Sequence, residues 1–400
     1  MKLQLTRAVK IIIAAAAVIL SVVLLQEYVL CHADHNRERI KGFYDEESDS
    51  LDVVYLGASE VYSDIAPGYA YSRDGITSYL FATQANSILN YKSQIKNILS
   101  RQKNALIVVE LNGAVYGDEE EVTKEANLRN YGDNVPLDST KVDWVLNSVP
   151  YDNKSEYLFP IIKYHGIWNE PVDSGSEDEE AETSDKTVFE AEQLYRQTVL
   201  TEKGRGYNYL KGVLNWPVIF ASPNKSLNNK LPANADKKLP LTETEETALR
   251  ELLQYCKDED LTNVVFTRFP HIVTEKTYER FQRGNTVGDI VAEYGFDYLN
   301  FERDIAQTGL DEKQDFYNLD HLNIYGQQKF TAFITDYLKE HYSLSPRTLN
   351  GELRAEWEEC AKYYDAYTQY NEVLINSKMP SELSENDELI KKLEAYLADA

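Results

Sequence analysis

Hydrophobic positions along the chain fall into three patterns, and each predicts a different kind of element. The first is the N-terminal stretch "KIIIAAAAVILSVVLLQEYVLC", apolar from Ile11 to Leu25 apart from Ser21, then polar at Gln26 and Glu27. About 20 apolar residues in helix cross a bilayer core of roughly 30 Å. The run is longer than a signal-peptide core and no Ala-x-Ala site flanks it, so residues 1–33 are predicted to be a single-pass anchor. The second pattern is a short apolar run closed by a turn residue: "LDVVYLG" (51–57), "NALIVVELNG" (104–113), "TNVVFTRFP" (262–270) and "FDYLNF" (296–301). Runs of this length without alternation predict strands buried on both faces, as in a parallel sheet.

The third pattern has helical spacing. Ile88, Tyr91, Ile95, Ile98 and Leu99 make one stripe on 86–100. Thr242 and Glu245 stand at capping-box spacing, ahead of Leu249, Leu252, Leu253 and Cys256 on one face. "TVGDIVAEYG" predicts a helix closed by Gly295, and "GQQKFTAFITDYLKEHY" a closing helix. Strand, helix and strand between 51 and 113 predict a βαβ unit. The fold expected is α/β, with three α/β/α layers around a parallel sheet, over residues 34–343. An insertion at about 117–240 interrupts it. Within it, residues 172–187 ("VDSGSEDEEAETSDKT") are too polar to bury themselves and predict a solvated loop. "EYLFPIIKYHGIWNEP" and "GRGYNYLKGVLNWP" around that loop predict a lid or inserted subdomain over the sheet edge. Residues 344–400 predict a polar helical extension with no core of its own.

Composition narrows the function classes. A formal charge of -25 excludes the basic surface that nucleic acid needs, and it disfavours simple adhesion to anionic lipid. Three cysteines, Cys31, Cys256 and Cys360, lie far apart with no CxxC pair, so neither a disulfide framework nor a cysteine-rich zinc site is expected. No metal and no organic cofactor is implied. The 29 tyrosines offer flat, partly polar faces suited to sugars or partner proteins, as well as to the core.

In parallel α/β sheets, ligands bind outside the carboxyl ends of the strands. Ser59 leaves the first predicted strand directly behind Gly57, where glycine lets the backbone turn. His321, in "DFYNLDHLNIYG" (315–326), follows the last predicted strand and so reaches the same edge. An imidazole in contact with a serine hydroxyl turns it into a nucleophile. Taken alone, each also fits an ordinary turn serine or loop histidine. Only their convergence separates the two readings. His271, after Pro270, reads as structural.

"DVVYLGAS", "VVELNG" and "DHLNIYGQQKFT", in that order, resemble the SGNH (GDSL-type) hydrolases, a family with a flavodoxin-like sheet. They are most similar to the membrane-anchored bacterial branch that includes the teichoic-acid D-alanyl transfer and alginate O-acetylation proteins. The likeness covers roughly residues 40–343. It implies Ser59 as nucleophile and His321 as base, with oxyanion donors from the backbone around the serine (Ala58, Glu60) and from the Asn112 side chain. Where the family has a glycine in its second block, this chain has Ala82 or Thr83. Where it has an aspartate three residues before the histidine, this chain has Asn318. Asp320 or Asn318 then has to orient the ring. His165 resembles a segment of the same branch, so His165 and Trp168 are candidates for a lid or substrate contact. The resemblance implies an envelope-bound acyl esterase or O-acyltransferase acting on acyl esters of a cell-wall or secreted glycan. The large domain would lie outside the cell membrane, with a multi-pass membrane acyltransferase as partner. The alternative is a catalytically silent module that binds glycan or scaffolds such an acyltransferase.

Overall fold

The structure is a computed structural model and describes residues 7–29, 35–165, 210–220, 226–228 and 230–376. Five parallel strands form one sheet: β1 (Val53–Gly57), β2 (Ser78–Ala82), β3 (Leu106–Glu110), β4 (Val264–Arg268) and β5 (Tyr298–Asn300). Their order is 2-1-3-4-5, a doubly wound arrangement whose direction of winding reverses between β1 and β3. Registers align Gly57 with Ala82, Leu56 with Val109, Glu110 with Thr267 and Arg268 with Asn300. The carboxyl ends therefore finish nearly level, and the chain leaves them along one rim.

Side-chain alternation explains why both faces are dry. Val54, Leu56, Phe81, Ile107, Val109 and Phe266 point to one side. There they meet apolar faces of α5 (Ile88–Arg101), α11 (Glu243–Asp258) and α12 (Tyr278–Glu293). Val53, Tyr55, Leu80, Val108 and Val265 point to the other, against α3 (Ser59–Asp64) and α13 (Ile324–His341). Each such side chain, taken fully from water, contributes roughly 1.5–3 kcal/mol, so the sheet is the main reservoir of stability. Thr242 caps α11 reciprocally with Glu245, as its spacing predicts. Gly295 takes φ +85° after α12, a conformation that costs glycine least.

Two expectations change. The strand β2 was not foreseen, so the striped helix α5 connects β2 to β3 rather than β1 to β3. Between β1 and β2 the chain instead makes α3 and α4 (Pro67–Asp74). The segment beyond 343 also belongs to the main core. Helix α14 (Gly351–Asn376) buries Trp357, Cys360, Tyr363, Tyr364 and Tyr367, and Gly68 of α4 lies so close that an added Cβ would sit 2.6 Å from the Tyr364 Cβ. Arg347 ahead of it binds the Asp52 carboxylate at 2.8 Å.

Helix α1 (Arg7–Val29) contains one span, Val9–Gln26, long and apolar enough to cross a membrane, with mean hydropathy 2.5. Its large side chains face outward; Ile12 and Leu24 are more than half exposed, unlike those of a soluble core helix. At its C-terminal end the Gln26 side chain accepts from the Ile161 N–H at 3.3 Å. From the insertion, α7 (Glu125–Gly132) and α8 (Ser139–Asn147) pack against α5. Residues 210–215 do run beside the β2 edge, where the Leu80 N–H bonds to the Lys211 carbonyl at 3.1 Å. The acidic stretch 172–187, Trp168 and Cys31 lie outside the described residues. Cys256 and Cys360 are buried free thiols.

Candidate active site

Gly57 ends β1 because nothing larger fits: a Cβ there would lie 2.7 Å from Val61 and 2.9 Å from the Glu110 side chain. The backbone turns at Ala58, and Ser59 becomes the first residue of α3. Some 260 residues later, Phe316 and Leu322 form an antiparallel bridge, and the Tyr317 N–H bonds to the His321 carbonyl at 3.1 Å. That small loop turns the His321 ring toward α3. Its Nε2 lies 2.7 Å from the Ser59 Oγ. Both residues are half-buried, as are Tyr317 to Asp320 beside the histidine, so the pair keeps contact with solvent.

Asn318, not Asp320, meets the other ring nitrogen. The Asn318 Oδ1 lies 2.9 Å from His321 Nδ1 and also accepts the backbone N–H groups of Asp320 (2.8 Å) and His321 (2.9 Å). An atom that accepts from two backbone donors is the amide oxygen, so Nδ1 carries the hydrogen when the ring is neutral. Nε2 then presents its lone pair to the serine hydroxyl, the tautomer that a general base requires. Tyr317 stacks on the ring with 5.1 Å between centroids and 4° between planes. Asp320 is drawn away by a close ion pair with Arg280. Burial opposes its charge, yet the Arg280 guanidinium outweighs it and holds the carboxyl well below the usual range.

Serine and histidine segments are fastened to each other as well as to the sheet. Asn215 donates its amide to the Ser63 carbonyl (2.8 Å) and to the Leu322 carbonyl (2.9 Å). The Leu322 N–H donates to Asp64 Oδ1 at 2.9 Å, and the Tyr317 hydroxyl meets Ser63 at 3.2 Å. Asn215 in turn is held by the Tyr367 hydroxyl, 3.0 Å from its N–H. Gly326 at the start of α13 approaches the Asp315 carbonyl so closely that a Cβ would be 2.1 Å from it.

Asn112 stands just beyond β3, at the reversal point beside Ser59. Its Oδ1 accepts from Arg268 at 2.7 Å, which turns Nδ2 toward a short bond with the Glu60 carboxylate. One of the two Nδ2 hydrogens is thus committed to Glu60. The Ser59 and Glu60 N–H groups open α3 and have no partner within that helix; the Glu60 N–H meets its own carboxylate. Ala58 is buried and its carbonyl accepts the Val61 N–H. Ala82 ends β2 beside Gly57, and its carbonyl accepts from Arg39 at 3.1 Å. His165 is exposed and bonds to the Ile162 carbonyl at 2.8 Å, near the end of α1 rather than at the Ser59 rim.

A buried polar cluster beside Asn112 was not foreseen. Glu60, Glu110, Arg268, His271 and Glu302 are almost wholly inaccessible. Arg268 bonds to Glu302 at 3.1 Å and Glu110 at 3.3 Å. The His271 ring lies 3.5 Å from both Glu60 and Glu302. Burial and the Glu60 charge push the Glu110 carboxyl up to about 8 against the pull of Arg268. Burial also works against the charge of Glu60, but the His271 bond and the nearby His321 ring lower it overall. His321 itself is lowered, first by burial, with Glu60 and Asp320 opposing. A lowered histidine is neutral, and therefore basic, at neutral pH. Each of these charged residues stands at or just past a strand end, which is the signal that would have found them.

Among the described residues, no cluster of three or more His, Cys, Asp or Glu has the arrangement of a metal site. Comparison with family models gives no match for this chain, and comparison with curated proteins gives none either.

Proposed function

We propose that this chain is an envelope-bound serine acyl esterase or O-acyltransferase of the SGNH type. One observation carries the reading: the Ser59 hydroxyl 2.7 Å from a histidine whose other nitrogen is fixed by Asn318. In the reaction, Ser59 Oγ attacks an ester carbonyl while its proton passes to His321 Nε2. The tetrahedral oxyanion is met by the Ser59 N–H at the start of α3 and by the remaining Nδ2 hydrogen of Asn112. Collapse breaks the ester bond, and the leaving alkoxide takes the proton back from Nε2. Water or a sugar hydroxyl, deprotonated by the same nitrogen, then attacks the acyl-serine and releases the acyl group.

The half-buried rim suits an acyl group displayed on a polymer, and the substrate class we propose is an acylated envelope or secreted glycan. Helix α1 would hold the domain at the outer face of the membrane, within reach of a multi-pass acyltransferase. Asn318 also favours a second reading, a silent module that binds glycan or scaffolds the acyltransferase, because an amide cannot neutralise an imidazolium. A serine-directed fluorophosphonate decides between them. The enzyme reading expects labelling of the full chain in detergent and its loss in Ser59→Ala. Absence of labelling on folded protein would favour the silent module.

A further inference from the structure

In a serine triad the third residue does two things: it orients the histidine and it supplies negative charge to the imidazolium. Here the first task falls to Asn318, which is neutral. Asp320 is charged but is committed to Arg280. A different carboxylate belongs to the residue next to the nucleophile. Glu60 follows Ser59 directly in α3 and is 1% exposed. Its Oε1 accepts from Asn112 and lies 3.5 Å from His271 Nε2, while Oε2 has no hydrogen-bonding side-chain or backbone donor among the described residues.

We propose that the triad's third member is divided in this protein: Asn318 orients His321, and Glu60 supplies the charge against which the imidazolium forms. The inference rests on the Ser59–His321 reading above. Glu60 acts through His321 without touching the reacting atoms, so it is a positioning residue. One electrostatic interaction couples the two groups: Glu60 favours the charged ring and His321 the charged carboxyl. Other charges around the ring are Asp320 on the acidic side and Arg280 and His271 on the basic side, with Tyr317 stacked on it. Around Glu60 stand His271, Asp64 and Glu110, with Arg268 and Glu302 behind Asn112 and His271. Burial raises the carboxyls of Asp64 and Glu110, whereas that of Glu60 is lowered.

The test is a cycle between Glu60→Gln and Asn318→Asp in the full chain, read by fluorophosphonate labelling rate and by NMR titration of 13C-labelled histidine. Glutamine keeps an oxygen for the Asn112 bond and loses the charge. Replacing the acid of a complete triad by its amide costs about 10⁴ in rate. Glu60→Gln should slow labelling roughly ten- to a hundredfold, part of that full loss. It should also move the His321 midpoint downward. With Asn318→Asp present, a charge again adjoins the ring, and Glu60→Gln should then cost less than about threefold. An unmoved midpoint, or the same loss in both backgrounds, would overturn the proposal and leave Glu60 as a prop for Asn112. If the native chain does not label at all, acyl chemistry fails while the titration still decides on Glu60. Should Glu60→Gln not fold, Asn318→Asp alone serves: a small gain in labelling supports a charge already present, and a gain of about a hundredfold or more refutes it.

Discussion

Replacing Asp64 by asparagine should stabilise the fold by an amount that grows with pH. Asp64 is fully buried; Oδ1 accepts the Leu322 N–H at 2.9 Å, and Oδ2 has no partner among the described residues. Burial raises its carboxyl well above the ordinary value, and the charges of Glu60, Glu110 and Asp320 push in the same direction. The folded chain therefore keeps a proton that the unfolded chain has released above about pH 4. Because the native state binds the extra proton, stability falls as pH rises through this window, by about 1.4 kcal/mol per pH unit for one group. Asparagine has the same shape, preserves the Leu322 bond and does not titrate. The stability difference between Asp64→Asn and the native chain should thus widen by about 2.8 kcal/mol over two pH units within which Asp64 stays protonated. Slopes from other groups, Glu110 included, occur in both proteins and cancel. Urea unfolding of the detergent-solubilised chain at several pH values between 5 and 8 measures the difference. A pH-independent difference would mean that Asp64 is ionised in the folded state, and the account of its burial would fail.

Two further changes probe what holds the site. Gly326→Ala should lower stability by about 1–3 kcal/mol, the usual cost of overpacking, because its Cβ meets the Asp315 carbonyl that anchors the Asn323 N–H; labelling of Ser59 should fall with it, and a normal melting curve would refute the close approach. Lys211→Met should cost about 3–5 kcal/mol by stranding the buried Glu46 carboxylate, now 2.7 Å from the ammonium. Adding Glu46→Gln should restore most of that loss in a thermal melt.

What the sequence made legible follows from what burial imposes on composition. Strands β1, β3, β4 and β5 were readable because a strand covered on both faces must be apolar throughout. Strand β2 escaped because "SYLFA" begins with a serine that is buried despite its polarity. Ser59 and His321 were legible because strand order in a wound sheet delivers both loops to one rim. Asp320 misled: adjacency in sequence said nothing of Arg280, forty residues earlier, which claims its charge. The enclosure of Glu60, Arg268 and Glu302 escaped for a related reason, although each stands at or just past a strand end. Charged residues are usually solvated, and only packing reveals which of them are enclosed with partners. The extension after 343 looked too polar for a core. Its tyrosines serve as core residues, burying their rings while Tyr364 and Tyr367 spend their hydroxyls on Gln327 and Asn215.

Asn215 hangs between the Ser59 and His321 segments and is itself steadied by Tyr367, so their arrangement needs pieces drawn from nearly every stretch of the domain. A polypeptide emerges from its N-terminal end. Ser59 is made early, yet it must wait for His321, and the brace that sets their spacing waits for Tyr367. The Ser59–His321 arrangement is thereby a late product of synthesis, complete only after Tyr367 has been made.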